Sequence, residues 1–186
     1  MLAACNNHED VVCLLLTKGA DIDNCDKDGW TSLHWAVLLG QLSTARLLLE
    51  RGANVNAVSN AYPTPLHIAT HLGHIDIIRL LVDHGAALEA RDDDGCTPLY
   101  HAVYNIEEEE AIALLLSFGS DPHTRADDGT TLLDAVGRES SLSRDAERAA
   151  RVRELLMRAG CTEETGRGPL ENGVQPEDTR EGAESS

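Results

Sequence analysis

One short motif recurs through this chain at a fixed interval of 33 residues. Its three copies are Thr31-Ser32-Leu33-His34, Thr64-Pro65-Leu66-His67 and Thr97-Pro98-Leu99-Tyr100. A period of this size is typical of arrays of stacked structural units. Because such an array buries a continuous core between neighbouring units, the period argues against an enclosed active site and for an extended binding surface.

Within one period the residues predict two helices separated by a polar break. In the second copy Thr64-Pro65 combines a good N-cap with a residue suited to the first helical position. Gly73-His74 interrupts the chain before a more apolar helix that carries residues 77–82. Gly85 is expected to end that helix in a left-handed conformation, and residues 86–95 then read as an extended loop with a turn.

Aligning the chain on the motif threonine and the late glycine divides it into six segments. These are a partial repeat at 1–27, full repeats at 28–60, 61–93 and 94–127, a C-terminal capping repeat at 128–160, and a tail at 161–186. A terminal repeat is expected to be atypical, with a polar outer face. The tail has few large apolar residues and is acidic, so we expect it to be disordered.

Residues 1–160 resemble ankyrin repeats, whose signature is Thr-Pro-Leu-His-x-Ala. Thr64–Ala69 matches this signature in full, and Thr31–Ala36 matches it with serine in place of proline. The resemblance implies an all-α solenoid of helix-turn-helix units with short β-hairpin fingers. It also implies a non-catalytic protein–protein interaction module, and no nucleophile–base pair or phosphate-binding loop in the sequence indicates an enzyme.

In ankyrin proteins, partners generally bind the concave surface made by the finger tips and the inner helices. Carried onto this chain, the finger candidates are Lys27, Asp28, Trp30, Asn60, Pro63, Asp93, Asp94, Cys96, Asp127 and Asp128. The candidates on the inner helices are Leu38, Leu39, His71, Leu72, Tyr104 and Asn105. Trp30 and Tyr104 are expected to be exposed anchors of a partner. The alternative is that apolar members of the set pack against the adjacent repeat.

The charge of the chain restricts the class of partner. The net charge is −17, and residues 1–136 carry 21 acidic and 7 basic residues. Such a surface repels phosphate backbones, so we expect no nucleic-acid binding and a basic or mixed basic/apolar protein segment as partner. No apolar run is long enough for membrane insertion. The five cysteines form no Cys-x-x-Cys pair, which favours reduced thiols in an intracellular protein, cytoplasmic and/or nuclear.

Two further residue patterns have a functional and a structural reading. His67, His71 and His74 share a helix face and could surround zinc, but the repeat signature accounts for His67 and His74, so no metal or cofactor is expected. Asn56 resembles the finger asparagine that asparaginyl hydroxylases modify in some ankyrin proteins. Its structural reading is an asparagine that stabilises the turn.

Two alternatives to an autonomous binding module concern the N-terminal repeat. Met1 falls within a predicted helix, which favours a C-terminal fragment of a longer ankyrin scaffold with a structural role and no autonomous partner. The uncapped apolar face around Leu2 and Leu14–Leu16 also predicts self-association.

Overall fold

The computed structural model describes residues 1–60, 64–104, 109–138 and 143–161. These residues contain ten helices, in which a short first helix alternates with a longer second one. The helices are α1 (Leu2–Cys5), α2 (Glu9–Thr17), α3 (Ser32–Leu38), α4 (Leu42–Glu50), α5 (Pro65–His71), α6 (Ile75–Asp83), α7 (Pro98–Tyr104), α8 (Glu109–Ser117), α9 (Leu132–Arg138) and α10 (Ser143–Arg158). The tail predicted to be disordered lies outside the described residues from position 162 onward.

The helices stack in two rows. The first row consists of α1, α3, α5, α7 and α9, each packed against the next, and the second row consists of α4, α6, α8 and α10. Because each unit contacts mainly its neighbours, the core runs along the array instead of filling a globule. The prediction of an all-α solenoid is confirmed.

Each first-row helix from α3 onward begins just after a motif threonine or its equivalent. The Thr31 hydroxyl accepts the His34 N–H, and the Thr31 N–H donates to His34 Nδ1 over 3.2 Å. Asp134 replaces the histidine in the last repeat and accepts the Thr131 N–H and hydroxyl in the same way. The threonine and the third helical residue therefore satisfy backbone donors that would otherwise lack partners.

The second helices end at glycines, as the sequence predicts. Gly52, Gly85 and Gly119 follow α4, α6 and α8 with φ angles of +88°, +85° and +94°. A side chain is disfavoured in this left-handed conformation, whereas glycine adopts it freely. The glycine thus fixes where each second helix stops and where the loop to the next finger begins.

The core is aliphatic and repeats with the period. Leu33, Leu66 and Leu99 of the first row are each at most 1% exposed, as are Leu48 and Leu81 of the second row. Burying leucines of this kind contributes about 1.5–3 kcal/mol each. Aliphatic side chains therefore suffice to pack the interior, although the chain contains few aromatic residues.

The fingers differ from the predicted β-hairpins, because in the described residues they are tight turns. Gly29 and Gly95 have φ angles of +79° and +74°, and their N–H groups donate to the carbonyls of Asp26 and Asp92. The described residues contain one isolated antiparallel bridge, between Arg125 and Thr131. In three described fingers one backbone bond of 3.0 Å closes the reversal, donated by the N–H of Asp26, Asp92 or Ala126 to the carbonyl of Trp30, Cys96 or Thr130, respectively.

Among the described helices none combines the length and the apolar character needed to cross a membrane.

Candidate interaction surface

Most predicted finger-tip residues are exposed and form a row. The exposed members are Lys27, Asp28, Asn60, Asp93, Asp94, Asp127 and Asp128. The N–H of Asn60 donates to the Asp28 carbonyl over 3.0 Å, and that of Asp127 donates to the Asp94 carbonyl over 2.9 Å. Backbone hydrogen bonds therefore join the finger at Asp28 to the one at Asn60, and the finger at Asp94 to the one at Asp127. Pro63 and Asn105 lie outside the described residues.

Trp30 and Cys96 do not lie at the finger surface, so the prediction that Trp30 is an exposed anchor is wrong. Both side chains are 9% exposed, and Thr130 at the corresponding place is 6% exposed. The Trp30 ring centroid is 5.1 Å from that of Trp35 and 5.7 Å from that of His34. The residue before the motif threonine turns back under the finger and packs against the start of the helix. In sequence it looks exposed because it follows the turn glycine.

One aspartate organises each of two fingers. Asp26 Oδ1 accepts the N–H groups of Asp28 and Trp30, both over 3.0 Å. Asp92 Oδ1 accepts those of Asp94 and Cys96 in the same pattern, over 3.0 Å and 2.7 Å. In the next finger Ala126 occupies the equivalent position, and Asp128 Oδ1 accepts the Thr130 N–H instead, over 2.8 Å. The carboxylate holds the finger in its turn.

The same aspartates are also tied to the first-row helices, through residues that the sequence interpretation missed. Trp35 in α3 hydrogen-bonds to the Asp26 carboxylate, and His101 Nε2 in α7 lies 2.6 Å from Asp92 Oδ2. Trp35 and His101 occupy equivalent places, four residues after the motif threonine. The signal was available: each lies three residues before a candidate, Leu38 or Tyr104, on the same helix face.

Hydrogen bonding keeps both carboxyl groups ionised. Burial alone raises the pKa of Asp92, but the bond from His101 and the N–H groups of Cys96 and Asp94 hold it below its ordinary value. For Asp26 the bonds from Trp30, Asp28 and Trp35 likewise outweigh burial and lower the pKa. Each finger is therefore fixed to its helix by a charged acceptor, and such bonds are stronger than neutral ones.

The predicted residues on the first-row helices include an apolar patch, which we define as Leu39, Leu72 and Tyr104. Their side chains are 50%, 38% and 47% exposed, respectively. Leu39 and Leu72 cap the C-termini of α3 and α5, and Tyr104 is the last residue of α7. Because α3, α5 and α7 pack side by side, the patch spans three repeats at the same end of each helix. Leu38 and His71 beside it are half-buried.

The three histidines considered as zinc ligands have different surroundings. His67 Nδ1 lies 2.8 Å from the Thr64 hydroxyl, and its Nε2 lies 3.3 Å from the Cys96 carbonyl. His71 packs edge-on against His101, whereas the His74 ring lies against Gly40. In the described ranges no three His, Cys, Asp or Glu side chains are grouped so that they could hold a metal ion.

Burial controls the protonation of the two signature histidines and of Cys96. It lowers the pKa of His34 and of His67 to about 4, with the nearby His101 adding to the effect on His67. Burial and the carboxylates of Asp92, Asp94 and Asp128 raise the pKa of the Cys96 thiol to about 11. At neutral pH the histidines are uncharged structural groups and Cys96 is an unreactive thiol.

Asn56 links its repeat to the next one. Its Oδ1 accepts the Ala87 N–H over 2.8 Å, and its Nδ2 donates to the Gly85 carbonyl over 3.2 Å. One period earlier Asp23 accepts the Asn54 N–H over 2.9 Å, and one period later Glu89 accepts the Asp121 N–H over 2.9 Å. A hydrogen bond between repeats thus recurs with the period, and at Asn56 both ends of the side-chain amide are engaged.

Comparison with known proteins agrees with this architecture. The family model described as ankyrin repeats (3 copies) matches residues 1–59 and 57–126. No curated protein matches the chain. The matched residues make up more than half of the sequence and contain the first-row helices α1, α3, α5 and α7. The chain therefore belongs to the ankyrin-repeat family.

Proposed function

We propose that this protein binds a segment of another protein on the concave surface made by its finger tips and first-row helices. Ankyrin repeats are generally protein–protein interaction modules and generally non-catalytic. The finer proposal is that the apolar patch provides most of the binding free energy and the acidic fingers orient the partner.

The observation that carries the proposal is the exposure of Leu39, Leu72 and Tyr104 on three consecutive repeats. The residues two or three positions earlier in the same helices are fully buried, since Ala36, Ala69 and Ala102 are all 0% exposed. Apolar side chains held in water on adjacent rigid helices lose no further backbone entropy when a partner covers them. Such residues at the centre of an interface typically cost about 2 kcal/mol or more when truncated.

The acidic fingers are expected to act differently from the patch. Asp28, Asp93, Asp94 and Asp128 are exposed at finger tips, and Asp127 pairs with Arg91 at 3.1 Å. Exposed charges contribute little each because water and salt screen them. They accelerate encounter with a basic partner and disfavour acidic ones. This division of roles supports a basic or mixed basic/apolar segment as the partner.

The test is proximity labelling in cells with the wild-type chain, with Leu39→Asn/Leu72→Asn/Tyr104→Asn, and with Met157→Asn. Met157 is a matched control because it is 45% exposed on α10, away from the patch. We expect the triple variant to lose the labelled partners and the control to keep them, with unchanged circular dichroism for both. Retention of every partner by the triple variant would remove the patch from the proposal.

A second candidate function is self-association through the N-terminal repeat, and burial at equivalent positions favours it. Leu15 is 47% exposed, whereas Leu48, Leu81 and Leu115, which follow it at one-repeat intervals, are at most 1% exposed. Leu81 lies on α6, which packs against α4, and Leu115 lies on α8, which packs against α6. We propose that a second copy of this chain covers the equivalent face of α2, which also exposes Leu14.

Multi-angle light scattering at several protein concentrations tests this second candidate. The wild-type chain is expected to show a concentration-dependent mass that Leu14→Asn/Leu15→Asn reduces to that of a monomer. Met157→Asn is again the control, since it changes an exposed apolar residue at the other end of the array. A monomeric wild-type chain at high concentration would exclude self-association.

Asn56 is proposed as an acceptor of hydroxylation by an asparaginyl hydroxylase. Both polar atoms of its side chain are engaged, so an enzyme can reach it only after the loop has opened. Peptide mass spectrometry of protein from its source cells is expected to detect one added oxygen on Asn56. Its absence in every preparation would leave the asparagine with its structural role.

A further inference from the structure

The surface proposed to bind a partner changes in chemistry along the array. At the N-terminal end Leu39 and Leu72 are exposed, with the half-buried Leu38 and Trp35 beside them. The fingers over this end carry little charge. The first has Asp26 and Asp28 against Lys27, a balance of −1, and residues 58–63 of the next have no charged side chain.

The C-terminal end of the same surface is acidic. Residues 91–96 and 125–130 together carry five aspartates and two arginines, a balance of −3. Arg91 donates to the Arg125 carbonyl over 2.8 Å and to Asp127 Oδ1 over 3.1 Å, so it offsets Asp127. The carboxylates of Asp93 and Asp94, in contrast, form no ion pair or side-chain hydrogen bond within the described part of the chain.

The acidic fingers are held close together. The C=O of Asp94 accepts the Asp127 N–H, and Gly95 leaves the space that the Asp127 carboxylate occupies. A Cβ at Gly95 would collide with that carboxylate and would lie 2.7 Å from Arg91 Nη2. With φ at +74° the glycine also adopts a conformation that other residues disfavour. These contacts hold the backbones of the two fingers, and the Asp127 carboxylate between them, in fixed relative positions.

We infer that the partner segment is bipartite and binds in one orientation: its apolar half covers Leu39 and Leu72, and its Lys/Arg-containing half lies over Asp93 and Asp94. This inference rests on the proposed function and adds an order of chemistry along the groove. The apolar half gains affinity by leaving water, and the basic half is attracted to the end where like charges repel one another. The reversed orientation would place basic side chains over leucines and apolar ones among carboxylates.

The spacing of the repeats sets the length of such a segment. Packed helices lie about 8–10 Å apart, so two repeat steps separate the two ends by roughly 20 Å. An extended segment spans this distance with about six residues, and a helix does so with about 13. A peptide of 16 residues is therefore long enough to place both halves in either conformation.

The experiment is selection from a phage-displayed library of random 16-residue peptides on the wild-type protein. Enriched sequences are expected to contain large apolar residues in one half and two or more Lys or Arg residues in the other. A benzophenone side chain placed in the apolar half should crosslink to residues 28–83, and one in the basic half to residues 91–138. Mass spectrometry of the crosslinked peptides identifies the sites.

Matched variants separate the two halves of the inference. Leu39→Asn/Leu72→Asn is expected to weaken binding of a selected peptide about 20-fold, through the apolar area no longer buried. Asp93→Asn/Asp94→Asn should weaken it about fivefold at low salt and by much less at high salt, because the charges are exposed. Met157→Asn should bind like the wild type, and thermal unfolding checks that all variants are folded.

The outcomes distinguish this inference from the function on which it rests. Selected peptides that depend on Leu39 and Leu72 but lack a basic half, or crosslink in the reversed order, would overturn the inference and leave the concave-face proposal standing. Failure to enrich any peptide, or equal binding to Leu39→Asn/Leu72→Asn, would overturn both.

Discussion

The fingers at residues 26–30 and 92–96, with the helices α3 and α7 that follow them, share one backbone plan but differ in the chemistry placed on it. In both, an aspartate caps the finger and bonds to a residue on the first-row helix. In the first that residue is Trp35, and in the second it is His101. Under the finger lie Trp30 and Cys96, respectively. The position on the helix therefore accepts an indole or an imidazole ring, and the position under the finger accepts an indole ring or a small thiol.

The comparison separates positions that define the fold from positions free to define a partner. The helix-ending glycines and the buried leucines repeat because the geometry of the unit requires them. The aspartate cap is not required in the same way, since Ala126 replaces it in the last finger. The exposed residues at the finger tips differ: Lys27 and Asp28 in one finger correspond to Asp93 and Asp94 in the other.

The largest expected difference concerns the residue under the finger. Trp30→Ala removes a buried indole that packs on Trp35 and His34, so it should lower the free energy of unfolding by about 3–4 kcal/mol. Cys96→Ala removes only a thiol and should cost about 1 kcal/mol. Urea denaturation followed by circular dichroism measures both. Equal costs would show that Trp30 is not part of the core.

Acid should destabilise the repeats that contain the signature histidine. Burial holds the pKa of His34 and His67 at about 4, below the ordinary value of 6.5. Because the unfolded chain binds these protons first, the stability they contribute is complete above pH 6.5 and is lost as the pH falls toward 4. The expected loss by pH 4.5 is about 2–3 kcal/mol per histidine.

Repeat 94–127 provides the control for this pH dependence, because Tyr100 replaces the histidine and supplies no imidazole. His67→Tyr should remove about half of the acid sensitivity that the two histidines cause. NMR titration of the histidine ring protons measures the pKa values directly. A value near 6.5 for His34 or His67 would contradict the burial argument.

The sequence predicted the regular features of this molecule well and the finger interior poorly. The period, the cap at Thr64 and the stop at Gly85 follow from local backbone chemistry, which a sequence states directly. Leu39, Leu72 and Tyr104 were located because the period assigns them to helix ends. Trp30 was misplaced because its burial depends on a chain reversal that folds it back under its own finger. The bond between His101 and Asp92 joins residues nine apart in sequence, and only the folded finger brings their side chains together.

The two finger aspartates, Asp26 and Asp92, should differ modestly in how much they stabilise the folded protein. Asp26→Ala and Asp92→Ala each remove two bonds to backbone N–H groups and one to a helix side chain, so each should lower the midpoint of thermal unfolding. We expect the smaller loss for Asp92→Ala at low salt, since that change also relieves repulsion among Asp92, Asp93 and Asp94. Thermal unfolding at low and high salt measures this difference, which should vanish at high salt.

The smallest expected effect concerns the tie between finger and helix. Trp35→Phe and His101→Phe each keep an aromatic ring but remove the donor to the finger aspartate, so each should cost about 1 kcal/mol and increase hydrogen exchange at the finger amides. The Asp94 and Cys96 amides report on the His101 tie, and the Asp28 and Trp30 amides report on the Trp35 tie. We expect faster exchange at the first pair alone in His101→Phe and at the second pair alone in Trp35→Phe. Unchanged exchange in both variants would mean that the aspartates hold their turns without help from the helix side chains, and that the two fingers are equivalent in this respect.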